Sequence, residues 1–112
     1  MHRVVLDTNV IVSALVFGGV PRQIVELIEA GLCSFFYSRD IQLEVRRVLL
    51  EKFIWSEERL DDDLAIECAL ASNADAIVSG DSHLLPLGSY RTIRILSPRD
   101  FLTAFIEEYP VL

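Results

Sequence analysis

The stretch RVVLDTNVIVSALVFGG, residues 3–19, contains a short apolar run, an acidic residue and a second apolar run, in that order. The first run, RVVL, has the length and composition of a buried β-strand. Thr8 and Asn9 favour the start of a helix, and Gly18 with Gly19 is typical of a helix end. The stretch therefore predicts a strand that ends in a carboxylate, Asp7, and then a helix.

The rest of the chain repeats this alternation of strand-like and helix-like segments. Further strands are predicted at 32–38, 76–80 and 92–96, and helices lie between or after them in the order βααβααββα. Residues 53–62 have no regular pattern and predict an irregular connection. Strands that alternate with helices are typical of a parallel sheet covered by helices on both faces. A chain of 112 residues has room for one such α/β domain, residues 1–112.

A second predicted strand, AIVSG at 76–80, is also followed by an acidic residue, Asp81. The carboxyl ends of parallel strands meet at one edge of the sheet, where ligands of such sheets bind. Carboxylates gathered at that edge repel one another unless a cation holds them. Because oxygen-only sites favour hard divalent ions, Asp7 and Asp81 predict a Mg²⁺ or Mn²⁺ site.

Each of these two acids also has a purely structural interpretation. Asp7 has the position of a helix N-cap, although Thr8 or Asn9 could equally fill that role. Asp81 stands in the sequence GDS, which is typical of a turn. Asn9 could also donate a hydrogen bond to a ligating carboxylate or to a metal-bound water.

Further acidic residues lie in a predicted helix or directly before one. Glu44 borders the apolar stripe of its helix, where a charge is costly unless it is paired or metal-bound. The alternative for Glu44 is a surface pair with Arg47, three residues further on. Three consecutive acids at 61–63 precede another helix, whose positive end they would stabilise. One cap does not need three acids, but the pattern alone does not say which of them is free for another role.

Composition and charge restrict the possible functions of the chain. The 52% hydrophobic content supports a well-buried core, and no apolar run reaches the ~20 residues of a membrane span. The net charge of −7 predicts that any contact with nucleic acid is weak and metal-dependent, and it suits a basic protein partner. Cys33 and Cys68 lack metal-site spacing and predict buried thiols in a reducing cytoplasm. We therefore expect a cytoplasmic protein with no membrane segment.

Several other catalytic classes lack their signatures. The chain has no G-x-S-x-G elbow, no P-loop and no G-x-G-x-x-G fingerprint. An aspartate-nucleophile phosphatase would use Asp7, but the second acid expected two residues later is replaced by Asn9. The chain's only lysine, Lys52, is not suitably placed for that chemistry. Such a phosphatase is therefore disfavoured.

Four segments together resemble a PIN domain, and more narrowly the toxin components of prokaryotic type II toxin–antitoxin systems. These segments are VVLDTNVIVSALVFGG, the helix that contains Glu44, DLAIECALASNADAIVSGDSHLL and ILSPRDFL. The resemblance implies a Rossmann-like, three-layer α/β/α fold with a cluster of acids at the carboxyl edge of the sheet. It also implies a metal-dependent endoribonuclease that hydrolyses RNA phosphodiester bonds. A small antitoxin protein and a second copy of the chain are the implied protein partners.

The same resemblance assigns roles to individual positions. It places the catalytic acids and ligands of Mg²⁺ or Mn²⁺ at Asp7, Glu44, Asp63 and Asp81, and so selects Asp63 from the three acids at 61–63. Thr8, Asn9 and Ser79 match the polar positions that support these acids in the family.

The middle of the chain is shorter than in relatives of this kind. Only 18 residues separate Glu44 from Asp63, where such proteins carry an additional helix and edge strand. We therefore predict a sheet reduced to about four strands in the order 2-1-3-4, with an exposed edge that needs cover by dimerisation or by a partner. The alternative is a catalytically impaired remnant of the fold that acts as a protein-binding module.

Overall fold

The computed structural model describes residues 3–51 and 60–108, without the side chains of residues 60–63. The elements in chain order are β1 (Arg3–Leu6), α1 (Thr8–Val16), α2 (Gly19–Glu29), β2 (Ser34–Phe36), α3 (Arg39–Leu50), α4 (Leu60–Ser72), β3 (Ala76–Val78), β4 (Ser89–Tyr90), β5 (Ile93–Leu96) and α5 (Pro98–Glu108). A short 3₁₀ helix (Leu85–Leu87) lies between β3 and β4.

The strands form one mixed sheet in the order β2-β1-β3-β5-β4. The four strands predicted from the sequence are parallel and follow the predicted order 2-1-3-4. The prediction of about four strands missed β4, which pairs antiparallel with β5 at the edge. β4 has only two residues, Ser89 and Tyr90, too few for an alternating pattern to be visible in the sequence.

Alternate residues of the strands pack against helices on opposite faces of the sheet. Val4 and Leu6 of β1 pack with Phe101 and Phe105 of α5 and with Ile24 of α2. Val5, which lies between them on β1, faces the opposite side of the sheet and packs in a core formed with α3 and α4. This period of two, with apolar residues on both faces, explains why the central strands are continuous apolar runs. It also confirms the predicted three-layer α/β/α arrangement.

The helix boundaries follow the predicted start and stop signals with one exception. The N-cap of α3 is Ser38, whose hydroxyl accepts the Ile41 N–H at 3.1 Å. The glycines after α1, Gly18 and Gly19, have φ values of 76° and 69°, which few other residues adopt readily. The exception is the connection predicted at 53–62. Residues 60–62 belong to α4, and the remainder of that connection lies outside the described residues.

Arg3, at the start of β1, forms hydrogen bonds with the C-terminal end of α4. Its guanidinium donates hydrogen bonds to the carbonyl oxygens of Ser72 and Asn73 at the C-terminal end of that helix, the second at 3.2 Å. Its backbone N–H donates to the carboxylate of Asp75 at 3.0 Å. A cation at this end also interacts favourably with the helix dipole. These contacts fix the position of α4, the helix that carries Asp63, relative to the sheet.

Both cysteines are free and buried, as predicted. Cys33 lies in the core on one face of the sheet, and Cys68 lies in the core on the other. Burial raises the pKa of each thiol above its ordinary value, so the reactive thiolate form is scarce near neutral pH. The two side chains therefore serve as small apolar core residues.

Among the described residues, no single helix is long and apolar enough to cross a membrane. Taken together, α1 and α2 meet the length and composition requirements, but they are bent by 95° where they join.

Arg91 occupies a left-handed backbone conformation, with φ of 55°, in the two-residue turn between β4 and β5. Only glycine adopts this conformation without steric cost. We expect Arg91→Gly to raise the free energy of unfolding by about 0.5 kcal/mol, because relief of the backbone strain exceeds the added entropy of the unfolded chain. Urea unfolding measures the change. Arg91→Ala is the matched control, since it removes the side chain but keeps the strain, and a glycine variant no more stable than it would contradict the prediction.

Candidate metal-binding site

Asp7 follows β1 directly and is 1% exposed. It is the N-cap of α1, because its Oδ1 accepts the Val10 N–H at 3.1 Å. Its other carboxylate oxygen, Oδ2, accepts a hydrogen bond from the hydroxyl of Ser79. The helix-cap interpretation is therefore correct for Asp7. The same side chain also contacts Ser79, which directly follows β3, the strand next to β1.

Ser79 links Asp7, which follows β1 directly, to Asp81, which lies three residues after the end of β3. It follows β3 and is fully buried. Its hydroxyl donates to the Asp7 carboxylate and accepts the Asp81 N–H at 2.9 Å. This contact is possible because β1 and β3 are parallel neighbours, with Leu6 opposite Val78 at their carboxyl ends. The positions of Asp7 and Asp81 are thus linked through a single hydroxyl group.

Asp81 is 8% exposed and organises the turn after β3. Its Oδ1 accepts the His83 N–H at 2.6 Å, and its carbonyl oxygen accepts the Leu85 N–H at 3.0 Å. The turn interpretation is therefore correct for Asp81. The imidazole Nδ1 of His83 also lies 3.4 Å from Oδ1, with the side chain 52% exposed. His83 is therefore a surface residue whose ring contacts the Asp81 carboxylate.

Two polar residues at the start of α1, Thr8 and Asn9, directly follow Asp7 in the chain. Thr8 is buried, and its hydroxyl oxygen has no hydrogen-bond partner among the described residues. A buried hydroxyl normally has a partner, and an ordered water or an ion is one explanation for its absence. Asn9 is half-buried in the first turn of α1.

Glu44 lies on α3, which packs against both α1 and α4. The residue is half-buried, and its Oε2 atom is buried. Arg47, the surface partner considered for it, forms an ion pair with Glu51 at 3.1 Å. Glu44 therefore faces the protein with at least one oxygen, as expected from its place beside the apolar stripe.

The structure brings Asp7 and Asp81 together but does not gather them with Glu44 into a larger cluster. Among the described side chains, no group of three or more His, Cys, Asp or Glu residues is placed to hold a metal ion. Asp63 belongs to the first turn of α4, and its side chain lies outside the described part of the chain. The four-carboxylate site therefore stays a prediction.

The oxygens present fit a hard divalent cation. Asp7 and Asp81 are buried carboxylates at one sheet edge, and Thr8 adds a buried hydroxyl. Each carboxylate oxygen can accept more than one interaction, so the cap and turn hydrogen bonds leave acceptor capacity. Oxygen ligands of this type suit Mg²⁺ or Mn²⁺ better than softer ions.

Comparison with known proteins adds one finding. A family model described as PIN domain matches residues 3–60, just over half of the chain. The matched segment contains Asp7 and Glu44, whereas Asp63, Ser79 and Asp81 follow it. No curated protein and no solved structure matches the chain significantly.

Proposed function

Because this chain belongs to the PIN-domain family, whose members are generally nucleases, we propose that it is a metal-dependent endoribonuclease that hydrolyses RNA phosphodiester bonds. The observation that carries the proposal is the connection of Asp7 to Asp81 through Ser79. This connection lies at the carboxyl edge of the parallel sheet, where such folds bind ligands.

In this proposal Asp7 and Asp81 are the central metal ligands. Asp63 and Glu44 complete the site from α4 and α3, two helices that pack against each other. Ser79 orients the Asp7 carboxylate and holds the backbone of Asp81, and Asn9 and Thr8 supply polar contacts around them. Burial of Asp7 and Asp81 lowers the local dielectric, which strengthens their interaction with a cation.

Hydrolysis at this site needs no protein nucleophile. A bound divalent ion supplies a more acidic water and a positive charge that offsets the charge developing on the phosphate. The chain itself contributes the positions of the ligands, which the α1 cap and the turn after β3 fix before substrate arrives. This division of roles agrees with the lack of any nucleophile signature in the sequence.

Metal binding is the direct test of the proposed site. We expect isothermal titration calorimetry with Mn²⁺ or Mg²⁺ to show binding heat for the wild-type protein. The heat should be lost in Asp81→Asn, because an amide does not replace an ionised ligand. Glu29→Gln is the control, since it removes the same charge from the exposed end of α2, before β2. A wild-type protein that shows no binding heat with either ion would contradict the site.

The net charge of −7 repels the phosphates of an RNA substrate. Bound divalent ions reduce this charge where the phosphate lies, so RNA binding depends on the metal. Arg39 and Arg46 are exposed and lie seven residues apart on α3, which places them on one face of that helix. These two arginines are candidates for phosphate contacts. Arg22 is a weaker one, because it already pairs with Glu26 and Glu29.

We further propose that the protein is the toxin component of a cytoplasmic toxin–antitoxin pair. The resemblance of the quoted segments and the acidic surface, which suits a basic partner, support this role. A neighbouring gene that encodes a small basic DNA-binding protein would support it further. Co-expression of that protein is then expected to suppress the nuclease activity.

A protein-binding module without catalysis is the second candidate. One observation favours it: Asp7 and Asp81 each have a structural role, as a helix cap and in a turn, that accounts for an acid without catalysis. The two candidates differ in one measurement. Manganese-dependent cleavage of structured RNA, lost in EDTA, would exclude the binding module.

A further inference from the structure

A cleft with polar and apolar walls lies at the amino edge of the sheet, where β3 and β5 begin. Its volume is about 440 Å³, within the range of roughly 300–1,000 Å³ that is usual for small-molecule sites. The C-terminal end of α4, the segment that leads into β3 and the turn between β4 and β5 form its walls. We define the amino-edge cleft by six of its lining residues: Leu70, Asn73, Asp75, Arg91, Thr92 and Ile93.

Arg91 supplies the positive charge of the cleft. It is the first of the two residues in the turn between β4 and β5, and its φ of 55° is one for which such turns usually use glycine. Residues that keep a costly backbone conformation cluster at functional and ligand-binding sites. The Arg91 guanidinium lies 5.7 Å from the centroid of the Tyr90 ring, and within residues 3–51 and 60–108 it forms no ion pair. Its charge is therefore available to an anionic group in the cleft.

The wall formed by the end of α4 has the opposite electrostatic character. The C-terminal end of a helix carries partial negative charge, and Asp75 adds a carboxylate three residues after Ser72, where α4 ends. Asn73 follows Ser72 directly, and its exposed side chain has an amide oxygen that accepts hydrogen bonds. This wall therefore suits N–H donors and repels a simple anion.

Two residues supply the apolar surface of the cleft. Leu70, in the last turn of α4, is 37% exposed, whereas Ile93 is buried. An apolar surface beside a few polar groups is the usual composition of a site for a small molecule. A matching ligand therefore has an anionic group for Arg91, a flat ring for Leu70 and an N–H donor for the end of α4.

We propose that the amino-edge cleft binds a nucleotide whose base carries an exocyclic amino group, either as a free nucleotide or within an RNA strand. The phosphate accepts charge-assisted hydrogen bonds from the Arg91 guanidinium. The base packs against Leu70, and its amino group donates to Asn73 or Asp75. Adenine, cytosine and guanine carry such an amino group, whereas uracil has a carbonyl oxygen instead.

The cleft is distinct from the proposed metal site. Asp63 lies in the first turn of α4 and Asn73 directly follows the helix, so the two are separated by about 15 Å along its axis. The residues that define the cleft include none of the proposed metal ligands, and nucleotide binding there requires no cation. The inference therefore does not depend on the proposed hydrolysis.

An NMR titration of the ¹⁵N-labelled protein with AMP in EDTA tests the proposal. EDTA removes divalent ions, so that the proposed metal site does not contribute. We expect saturable shifts of the backbone amides of Asn73, Arg91 and Thr92. UMP should bind at least about fivefold more weakly, because uracil lacks the amino group. Inorganic phosphate should bind at least about tenfold more weakly, because it has no base to pack against Leu70.

Variants of Arg91 separate binding from folding. Arg91→Ala should raise the Kd for AMP at least about fivefold, because it removes the guanidinium. Arg91→Gly should raise the Kd equally although we expect it to be more stable than the wild type, so its loss of binding cannot result from unfolding. Arg22→Ala is the control. It removes the same charge from α2, which packs on the opposite face of the sheet from α4, and its Kd should match that of the wild type.

A tetranucleotide, AAAA, distinguishes the two sources of the ligand under the same conditions. If it binds more tightly than AMP and Arg91→Ala weakens it, the ligand is part of an RNA strand. If it does not bind more tightly, the ligand is a free nucleotide.

Three results would overturn the proposal. One is the absence of shifts at the cleft amides with about 10 mM AMP, a concentration that would nearly saturate a site with a Kd of about 1 mM. Another is a Kd that both Arg91 variants leave unchanged, or that Arg22→Ala raises as much as they do. The third is UMP binding as tight as that of AMP, since the base would then not donate to the end of α4.

Discussion

Asp7→Asn is expected to lower RNA cleavage at least about 100-fold while the protein stays folded, because loss of one ligand charge removes several kcal/mol of transition-state stabilisation. The fold should survive since asparagine caps helices as well as aspartate does, and its carbonyl oxygen can accept the Val10 N–H. The Ser79 hydroxyl can rotate to accept from the new amide. Removing one of two nearby negative charges also relieves repulsion with Asp81.

The measurement compares initial cleavage rates of a structured RNA with Mn²⁺ for wild type, Asp7→Asn and Glu29→Gln. The control variant changes the net charge equally and should cleave at the wild-type rate. Urea unfolding checks that Asp7→Asn has near wild-type stability. If the folded variant kept more than a tenth of the activity, Asp7 could not be a metal ligand in hydrolysis.

Ser79→Ala is expected to lower cleavage by about 10- to 100-fold, although the serine would touch neither metal nor RNA. The alanine leaves the Asp81 N–H and one Asp7 oxygen without the hydroxyl that joins them. The site then loses the contact that links the Asp7 carboxylate to the backbone of Asp81. We also expect a loss of about 1–3 kcal/mol in the free energy of unfolding, because Ser79 is fully buried.

The control for this variant is Ser79→Thr, which keeps the hydroxyl. Threonine should restore most of the cleavage, whereas a purely steric role for Ser79 would favour the smaller alanine. Titration of cleavage against Mn²⁺ separates positioning from stability: the alanine variant should need more metal for half-maximal activity. An unchanged metal requirement with reduced stability would assign Ser79 to folding alone.

The parallel strands of the sheet could be predicted because their sequences are continuous apolar runs. Val4 and Leu6 face one core while Val5 faces the other. Because β1 has apolar residues on both faces, its sequence is typical of a buried strand. β4 was not predicted because its two residues show no hydrophobic pattern. They form a strand because the turn between β4 and β5 places them beside β5. The strand order came from the family resemblance and not from the strand sequences, because β2 and β3 follow one another in the chain but are separated by β1 in the sheet.

The candidate site could be predicted to the extent that its residues follow strands. Asp7 and Asp81 were identified because a strand end fixes where the next side chains point. Helical acids are harder to place, since Glu44 borders a stripe whose phase allows both an inward and a surface position. The choice of Asp63 among three consecutive acids came only from family resemblance. The contact of the His83 imidazole with Asp81 could not be predicted, because it depends on the turn conformation, which alternation patterns do not reveal.

The dual position of Asp7, at the start of α1 and beside Ser79, has a practical consequence for capturing the substrate. If Asp7 is a metal ligand as proposed, most replacements at this position would destabilise the start of α1 and also remove the ligand. An amide in place of the carboxylate separates them, since it keeps the hydrogen-bond acceptor and removes the charge. A chain altered in this way is suited to trapping uncleaved nucleic acid for sequencing, and the trapped molecules would identify the natural target.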